Sequence, residues 1–333
     1  MTQVDPTSET PPSQGFPKWL TPGVRGIGLA SFLADMGHEV PTALFASLIV
    51  SVLGASAAVL GLIEGLADGL AGLARLLGGP LADDPHRRRT TALGGYVSTA
   101  VLASLIGAAG AVWQVGVLRM AAWASRGLRV PARNALLADM VDTSVYGRAY
   151  GFERMMDNLG AVAGPLLALG LVALVGVRTA ILLSVIPGLL AALAILYAIR
   201  HIPRATSRER TPLRIIVRPL LRGRLGQVLV GVSFFEVANV ATTLLILRAM
   251  QQLTPSLGLQ TATEVAIGLY TAYNAAATIA SLPAGRLSDR WGAISVLTVG
   301  VFFFLVAYLG FAVSVPNIVI LATSFIMSTP TNF

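Results

Sequence analysis

An all-α membrane protein built as two pseudo-symmetric helical bundles is the fold class this sequence predicts. About ten spanning helices are present where an internal repeat implies about twelve. Three observations carry that prediction. The 333 residues are 55% hydrophobic and only 12% charged, about half the charged fraction of a soluble domain, so the surplus apolar surface faces lipid. Apolar stretches long enough to span follow one another from residue 24 onward. The pattern G-x-L-small-D occurs twice, at Gly79-Pro80-Leu81-Ala82-Asp83 and at Gly285-Arg286-Leu287-Ser288-Asp289, 206 residues apart, each just past an apolar stretch.

The elements follow in order. Residues 1–23 are rich in Thr, Pro, Ser and Gln and lack the basic, then apolar, then small-residue layout of a signal peptide, so they read as a disordered tail. Residues 24–200 form the first bundle. Its predicted spans are Val24–Ser51, Ala57–Leu77, Thr91–Ala111, Val112–Val130, Tyr150–Val175 and Arg178–Ile199. The fourth is the weakest, because Arg119 and Arg126 interrupt it. Residues 201–225 are a basic linker, and residues 226–333 hold the second bundle, with spans Gln227–Met250, Thr263–Ala284, Ala293–Val313 and Pro316–Phe333. The repeat period places the counterpart of His201 near residue 407, so a full second bundle is expected to need about two helices more than this sequence holds, as in a fragment or a truncated carrier.

Charge sets topology. The net charge is +8, nearly all of it from arginine. Arg87–Arg89, then Arg129, Arg133 and Arg148, then the arginines of residues 200–224, then Arg286 and Arg290, follow the even-numbered spans. The opposite side carries little beyond Arg178 and Arg248. This positive-inside asymmetry places the N-terminus in the cytoplasm of a multi-pass protein of the inner or plasma membrane. It also assigns the basic charge to headgroups rather than to nucleic acid. With no cysteine and three scattered histidines, neither a disulfide nor a metal centre is expected, and no cofactor is implied.

Both bundles start on one side, so they are related by an axis along the membrane normal, a parallel repeat. The two G-x-L-[AS]-D copies resemble the signature loops of the major facilitator superfamily of secondary transporters. The first departs from the family's Arg-x-Gly continuation, reading Asp84-Pro85-His86, whereas the second keeps Arg290-Trp291-Gly292. Longer strings are similar to a bacterial branch: Ser31-Phe32-Leu33-Ala34-Asp35-Met36-Gly37-His38-Glu39, Leu60-Gly61-Leu62-Ile63-Glu64-Gly65, Gly147-Arg148-Ala149-Tyr150-Gly151-Phe152, and the run from Asp157 to Pro165. The resemblance implies a carrier of a small solute, working by alternating access, proton-coupled and directed to export. It also implies that the loops with Gly79, Asp83 and Arg87, and with Gly285, Asp289 and Arg290, latch the bundles on the cytoplasmic side. A monomer in the bilayer is the expected state. An intramembrane enzyme is disfavoured, since no Ser/His or Lys dyad and no H-E-x-x-H is present; an inactive carrier remnant is the alternative.

Charged residues at membrane depth are the candidate site, because each is expensive there. Asp35 and Glu39 are four apart with His38 beside them; Glu64 and Asp68 are four apart, with Arg75 continuing the stripe; Arg119 sits mid-span; Glu153 and Asp157 are four apart. Counting about 1.5 Å per residue puts Glu39, Glu64, Asp68 and Arg119 at one level. They suggest a shared cavity in which Arg119 neutralises one or two acids and another exchanges a proton, burial disfavouring a carboxylate's charged form. A static ion-pair network is the competing reading. Gly160-x-x-x-Gly164-Pro165 reads as a close helix contact with a kink. In the family such an element accompanies proton-exchanging exporters.

Overall fold

The computed structural model describes residues 19–201, 226–227, 230, 249, 252–312 and 318–328. The predicted tail up to residue 18, the linker after His201 and nearly all of the seventh span lie outside the described residues. The described residues are helical, with no strand among them. The helices are α1 (Pro22–Ala46), α2 (Ala57–Asp83), α3 (Pro85–Leu105), α4 (Val112–Ala138), α5 (Tyr146–Leu183), α6 (Val185–Arg200), α7 (Leu259–Trp291), α8 (Ala293–Ala312) and α9 (Ile318–Ser328).

Local chemistry sets the ends. Ser56 caps α2, its hydroxyl accepting from the Val59 amide at 3.4 Å. Gln114 reaches back to accept from the Gly110 and Ala111 amides at 2.8 and 3.2 Å, closing the start of α4. Beyond Pro41, α1 passes into a π-helical stretch, Ser47–Val52. Within α5, Gly176 has φ 75° and ψ 170°, a backbone only glycine adopts without strain. The fifth spanning helix ends there and the sixth begins, at the boundary the sequence suggests. Arg178 then donates to the carbonyls of Gly107 (3.2 Å) and Ala109 (2.5 Å), satisfying the end of α3.

Two bundles result. In the first, α1 packs on α5 and α6, α2 on α4, and α3 on α4 and α6; in the second, α7, α8 and α9 pack on one another, and α5 meets α7 across the divide. The first bundle's core is rich in alanine, including Ala30, Ala34, Ala92, Ala132, Ala149, Ala191 and Ala198. Lipid is as apolar as any core, so helices associate by close approach through small residues. Gly37 lies against the backbone of Gly188, and Gly127 against Ala71. Three described stretches are long and apolar enough to cross a membrane by composition: Arg87–Ala108, Gly170–Arg200 and Ala293–Ala312.

Two sequence expectations are corrected here. Neither signature copy is a loop. Gly79 and Asp83 belong to the last turns of α2, Gly285, Asp289 and Arg290 to those of α7, and Arg87 to the first turn of α3. Each junction is one residue long. Asp84 supplies one by accepting from the Arg87 amide at 3.4 Å, and Gly292, at φ 82°, supplies the other. The helix α4 also runs eight residues past the predicted end, so Arg129 and Arg133 are buried inside the bundle and are not loop charges.

Candidate functional site: an arginine stripe and a carboxylate latch

Arg119, Arg126 and Arg133 are seven apart on α4. Seven residues are nearly two turns, so the three share a face and span about 21 Å along it. Each meets an acid from a different helix. Arg119 grips Glu64 of α2, its Nη2 donating to Oε1 at 2.9 Å and Oε2 at 3.0 Å. Its Nη1 donates to Thr42 of α1 at 3.3 Å. Its guanidinium lies 3.3 Å from the Trp123 ring centre and 4.7 Å from that of Phe45. Such stacking suits the weakly hydrated guanidinium and explains how it is held 1% exposed.

One layer along the stripe, Arg126 donates to Asp35 Oδ1 at 2.9 Å and to His38 Nε2 at 2.6 Å. Trp123 lies between the layers; its indole N–H donates to Asp68 at 2.8 Å and its ring lies 4.2 Å from that of His38. In the third layer, Arg133 pairs with Glu153 of α5 at 2.6 Å. Ser31 of α1 bridges them, donating to Glu153 at 2.7 Å and accepting from Arg133 at 3.1 Å. Asp157 is held by Arg154 at 3.0 Å, with Arg133 at 3.9 Å.

Glu39 differs from these acids. Among the described residues its carboxylate has no hydrogen-bond or ion-pair partner, although it is half-buried on the same face of α1 as Asp35. Its Cβ rests on Gly164, where a methyl group would collide with it, and Gly160 likewise abuts Phe32 and Asp35. Gly160 and Gly164 therefore seat α5 directly on the acidic face of α1, one residue before Pro165. Glu64 is half-buried, whereas Asp68 and Arg75 are exposed, so Arg75 does not continue the network.

The predicted residues fall into three groups, with Glu39 standing alone. Asp35, His38, Glu64, Asp68 and Arg119 come together in one network with Trp123 and Arg126. Asp157 belongs to the next layer. Sequence reasoning counted Arg126 only as a blemish on the fourth span and Arg133 as a loop charge. The seven-residue spacing was the signal that joins them.

The second signature copy crosses between bundles. Asp289 accepts from the backbone amides of Gly147 (2.7 Å) and Arg148 (3.1 Å), the second and third residues of α5, and pairs with Arg148 Nε at 2.9 Å. A carboxylate at a helix N-terminus is favoured by the unpaired amides and the macrodipole. Behind it, Gly147 and Gly151 pack against Gly285 with no side chain between, and Asn158 donates to Ser281 at 3.4 Å. The first copy is not matched in this. Asp83 is exposed, and its backbone carbonyl accepts from Arg88 at 3.3 Å. Arg87 pairs with the buried Asp84 at 3.4 Å, and Arg290 is exposed. Beside the α5–α7 contact, a cavity of about 260 Å³ opens between α4, α5, α7 and α8, lined by Arg133, Tyr150, Glu153 and Ser281 with Val296 and Leu297.

Known proteins resemble this chain over most of its length. The profile of the Major Facilitator Superfamily matches residues 27–332. An uncharacterised protein of Mycobacterium tuberculosis is 30% identical over 303 residues, covering 89% of this chain and 73% of the relative. An uncharacterised MFS-type transporter of Methanocaldococcus jannaschii is 28% identical over 299 residues, covering 88% and 73%. Among solved structures, the proton:xylose symporter XylE bound to 6-bromo-6-deoxy-D-glucose superposes with a TM-score of 0.58 at 13% identity, covering 93% of this chain and 80% of XylE. That likeness is one of fold.

Proposed function

Because the chain belongs to the Major Facilitator Superfamily, we propose that it moves a small solute across the membrane by alternating access and exchanges it for protons at Glu39. Secondary transport by a multi-pass membrane protein follows from the family and the fold. The finer reading rests on one observation. Five acids at this site have a partner: Glu64, Asp35 and Glu153 pair with Arg119, Arg126 and Arg133, Asp157 pairs with Arg154, and Asp68 accepts from Trp123. Glu39 has none among the described residues. A carboxylate with no fixed partner can gain or lose charge without breaking a contact, whereas a change of charge on a paired one breaks its bond and strands the partner.

The remaining features support the same reading. The α4 stripe fixes α1, α2 and α5 relative to one another, so the first bundle moves as a body. Asp289 is proposed to act as the latch, holding α5 to α7 in the state closed at that end and releasing them in the other. Asp83 and Arg87 on the α2–α3 junction and Arg290 on α7 would face the cytoplasm, consistent with the arginine asymmetry and a cytoplasmic N-terminus. Gly160, Gly164 and Pro165 bring α5 against Glu39, so movement of α5 alters the surroundings of that carboxylate. This coupling favours proton exchange and the export direction. Arginines neutralise Asp35, Glu64, Glu153 and Asp157, which leaves the charges of Glu39 and Asp68 to attract a cationic solute.

Purified protein in liposomes with an imposed pH gradient and an internal pH dye tests this. Solute-dependent proton flux is expected across a panel of organic cations. In Glu39→Gln it falls to the level of empty liposomes while the protein remains folded. Undiminished flux in Glu39→Gln overturns the assignment.

A further inference from the structure

A second polar cluster lies behind the arginine stripe, on the side of α1 facing α3 and α6. Ala34, Gly37 and His38 of α1, Tyr96, Thr99 and Ala100 of α3, Arg129 of α4, and Ser184 and Gly188 at the start of α6 enclose a space of about 10 Å³. Three of these residues carry buried polar atoms with no hydrogen-bond partner among the described residues: His38 Nδ1, Tyr96 Oη and Arg129 Nε. Their residues are 5%, 1% and 4% exposed. Buried polar atoms are nearly always paired, so three unpaired ones around one space point to something that space holds.

The tautomer of His38 sharpens this. Arginine only donates, and Arg126 lies 2.6 Å from His38 Nε2. Nε2 is therefore the acceptor, and in the neutral ring the proton sits on Nδ1. That leaves two obligate donors, His38 Nδ1–H and Arg129 Nε–H, on residues that line the space together with Tyr96. The Thr99 and Ser184 hydroxyls donate to Gly95 and Ile181 carbonyls at 2.7 Å each and keep lone pairs to accept. The guest must accept two bonds and be able to donate. A cation is excluded by the two donors, one of them a guanidinium. The volume admits one water and nothing larger.

We propose that the space between α1, α3, α4 and α6 binds a single water that accepts from His38 Nδ1–H and Arg129 Nε–H and donates to Tyr96 Oη, making Tyr96 and Arg129 positioning residues for His38. The Arg129 guanidinium lies 4.0 Å from the Tyr96 ring centre, which fixes both sides of the water at once. With Nδ1–H engaged, His38 presents Nε2 permanently to Arg126, and Arg126 keeps its bond to Asp35. His38 is then a fixed acceptor in the network and not a proton carrier. This assignment stands apart from whether the chain carries protons at Glu39.

The test is solid-state NMR of the full chain in lipid, labelled with ¹⁵N-histidine. The His86→Gln/His201→Gln background leaves His38 as the one histidine of three. The expected result is a neutral ring with the proton on Nδ1 and a cross-peak between that proton and water. An Nε2–H tautomer or an imidazolium overturns the proposal, as does an Nδ1–H without the water cross-peak. Ala100→Val fills the space, and the cross-peak should disappear while the protein elutes as a folded species. If the cross-peak persists in that variant, the water lies elsewhere and the site is wrong. Neither readout involves transport, so failure here is distinguishable from failure of the proton-exchange reading.

Discussion

Replacing Asp289 with asparagine should open the junction between α5 and α7, and its size follows from the bonds counted there. The carboxylate is 4% exposed, accepts two amides at the start of α5 and pairs with Arg148 at 2.9 Å. Asparagine keeps one acceptor oxygen, so the change removes one of the two amide bonds, about 1 kcal/mol, and the negative charge beside the helix dipole and guanidinium, about another 1. These bonds link the two bundles, so their loss weighs on whichever state keeps α5 and α7 together. About 2 kcal/mol corresponds to a shift of about 30-fold between closed and open populations. The chain has no cysteine, so spin labels at Thr90→Cys and Trp291→Cys, both exposed positions, report the separation of the bundles by double electron–electron resonance. The expected result is a long-distance population in Asp289→Asn that the parent lacks, and a smaller one in Arg148→Gln, which keeps the amide bonds. Identical distance distributions in all three proteins would refute the latch.

Two further outcomes test the packing. Gly160→Val places a Cβ 2.5 Å from the Phe32 carbonyl oxygen and 3.0 Å from Asp35 Cβ; it should lower stability by about 1–3 kcal/mol, read as the midpoint of thermal unfolding in detergent, whereas Gly170→Ala, with open space around it, should leave the midpoint unchanged or raise it. Arg133→Met strands the buried Glu153 and should cost about 3–5 kcal/mol, while Arg133→Met with Glu153→Leu should recover most of that loss in the same assay.

Much of this was legible in the sequence because a membrane span writes itself as a run of apolar residues. The six spans of the first bundle, the break before Arg178 and the duplicated signature all follow from local pattern. The carboxylates on α1, α2 and α5 were legible too, since charge inside an apolar run is conspicuous. The stripe on α4 was not. Arg129 and Arg133 look like the basic residues that follow a span, because composition alone gives no reason to bury them. Their partners, Tyr96 and Glu153, come from other helices, and only the assembled bundle supplies the opposite charge and ring face that make burial tolerable. The signature copies misled in another way: Gly79-Pro80 reads as a helix end, yet α2 continues to Asp83 and turns on Asp84 alone.

The seam of α5 and α7 has a mechanical character that follows from its glycines. Gly147, Gly151 and Gly285 bring backbone against backbone, so there are few side chains at that contact to interlock and few rotamers that must change for one helix to roll over the other. In a side-chain-packed interface the resistance to rolling is spread over many small barriers. Along this seam it is gathered into the Asp289 carboxylate, its two amide donors and the Arg148 guanidinium, with the Asn158–Ser281 bond beside them, like a smooth bearing with a detent.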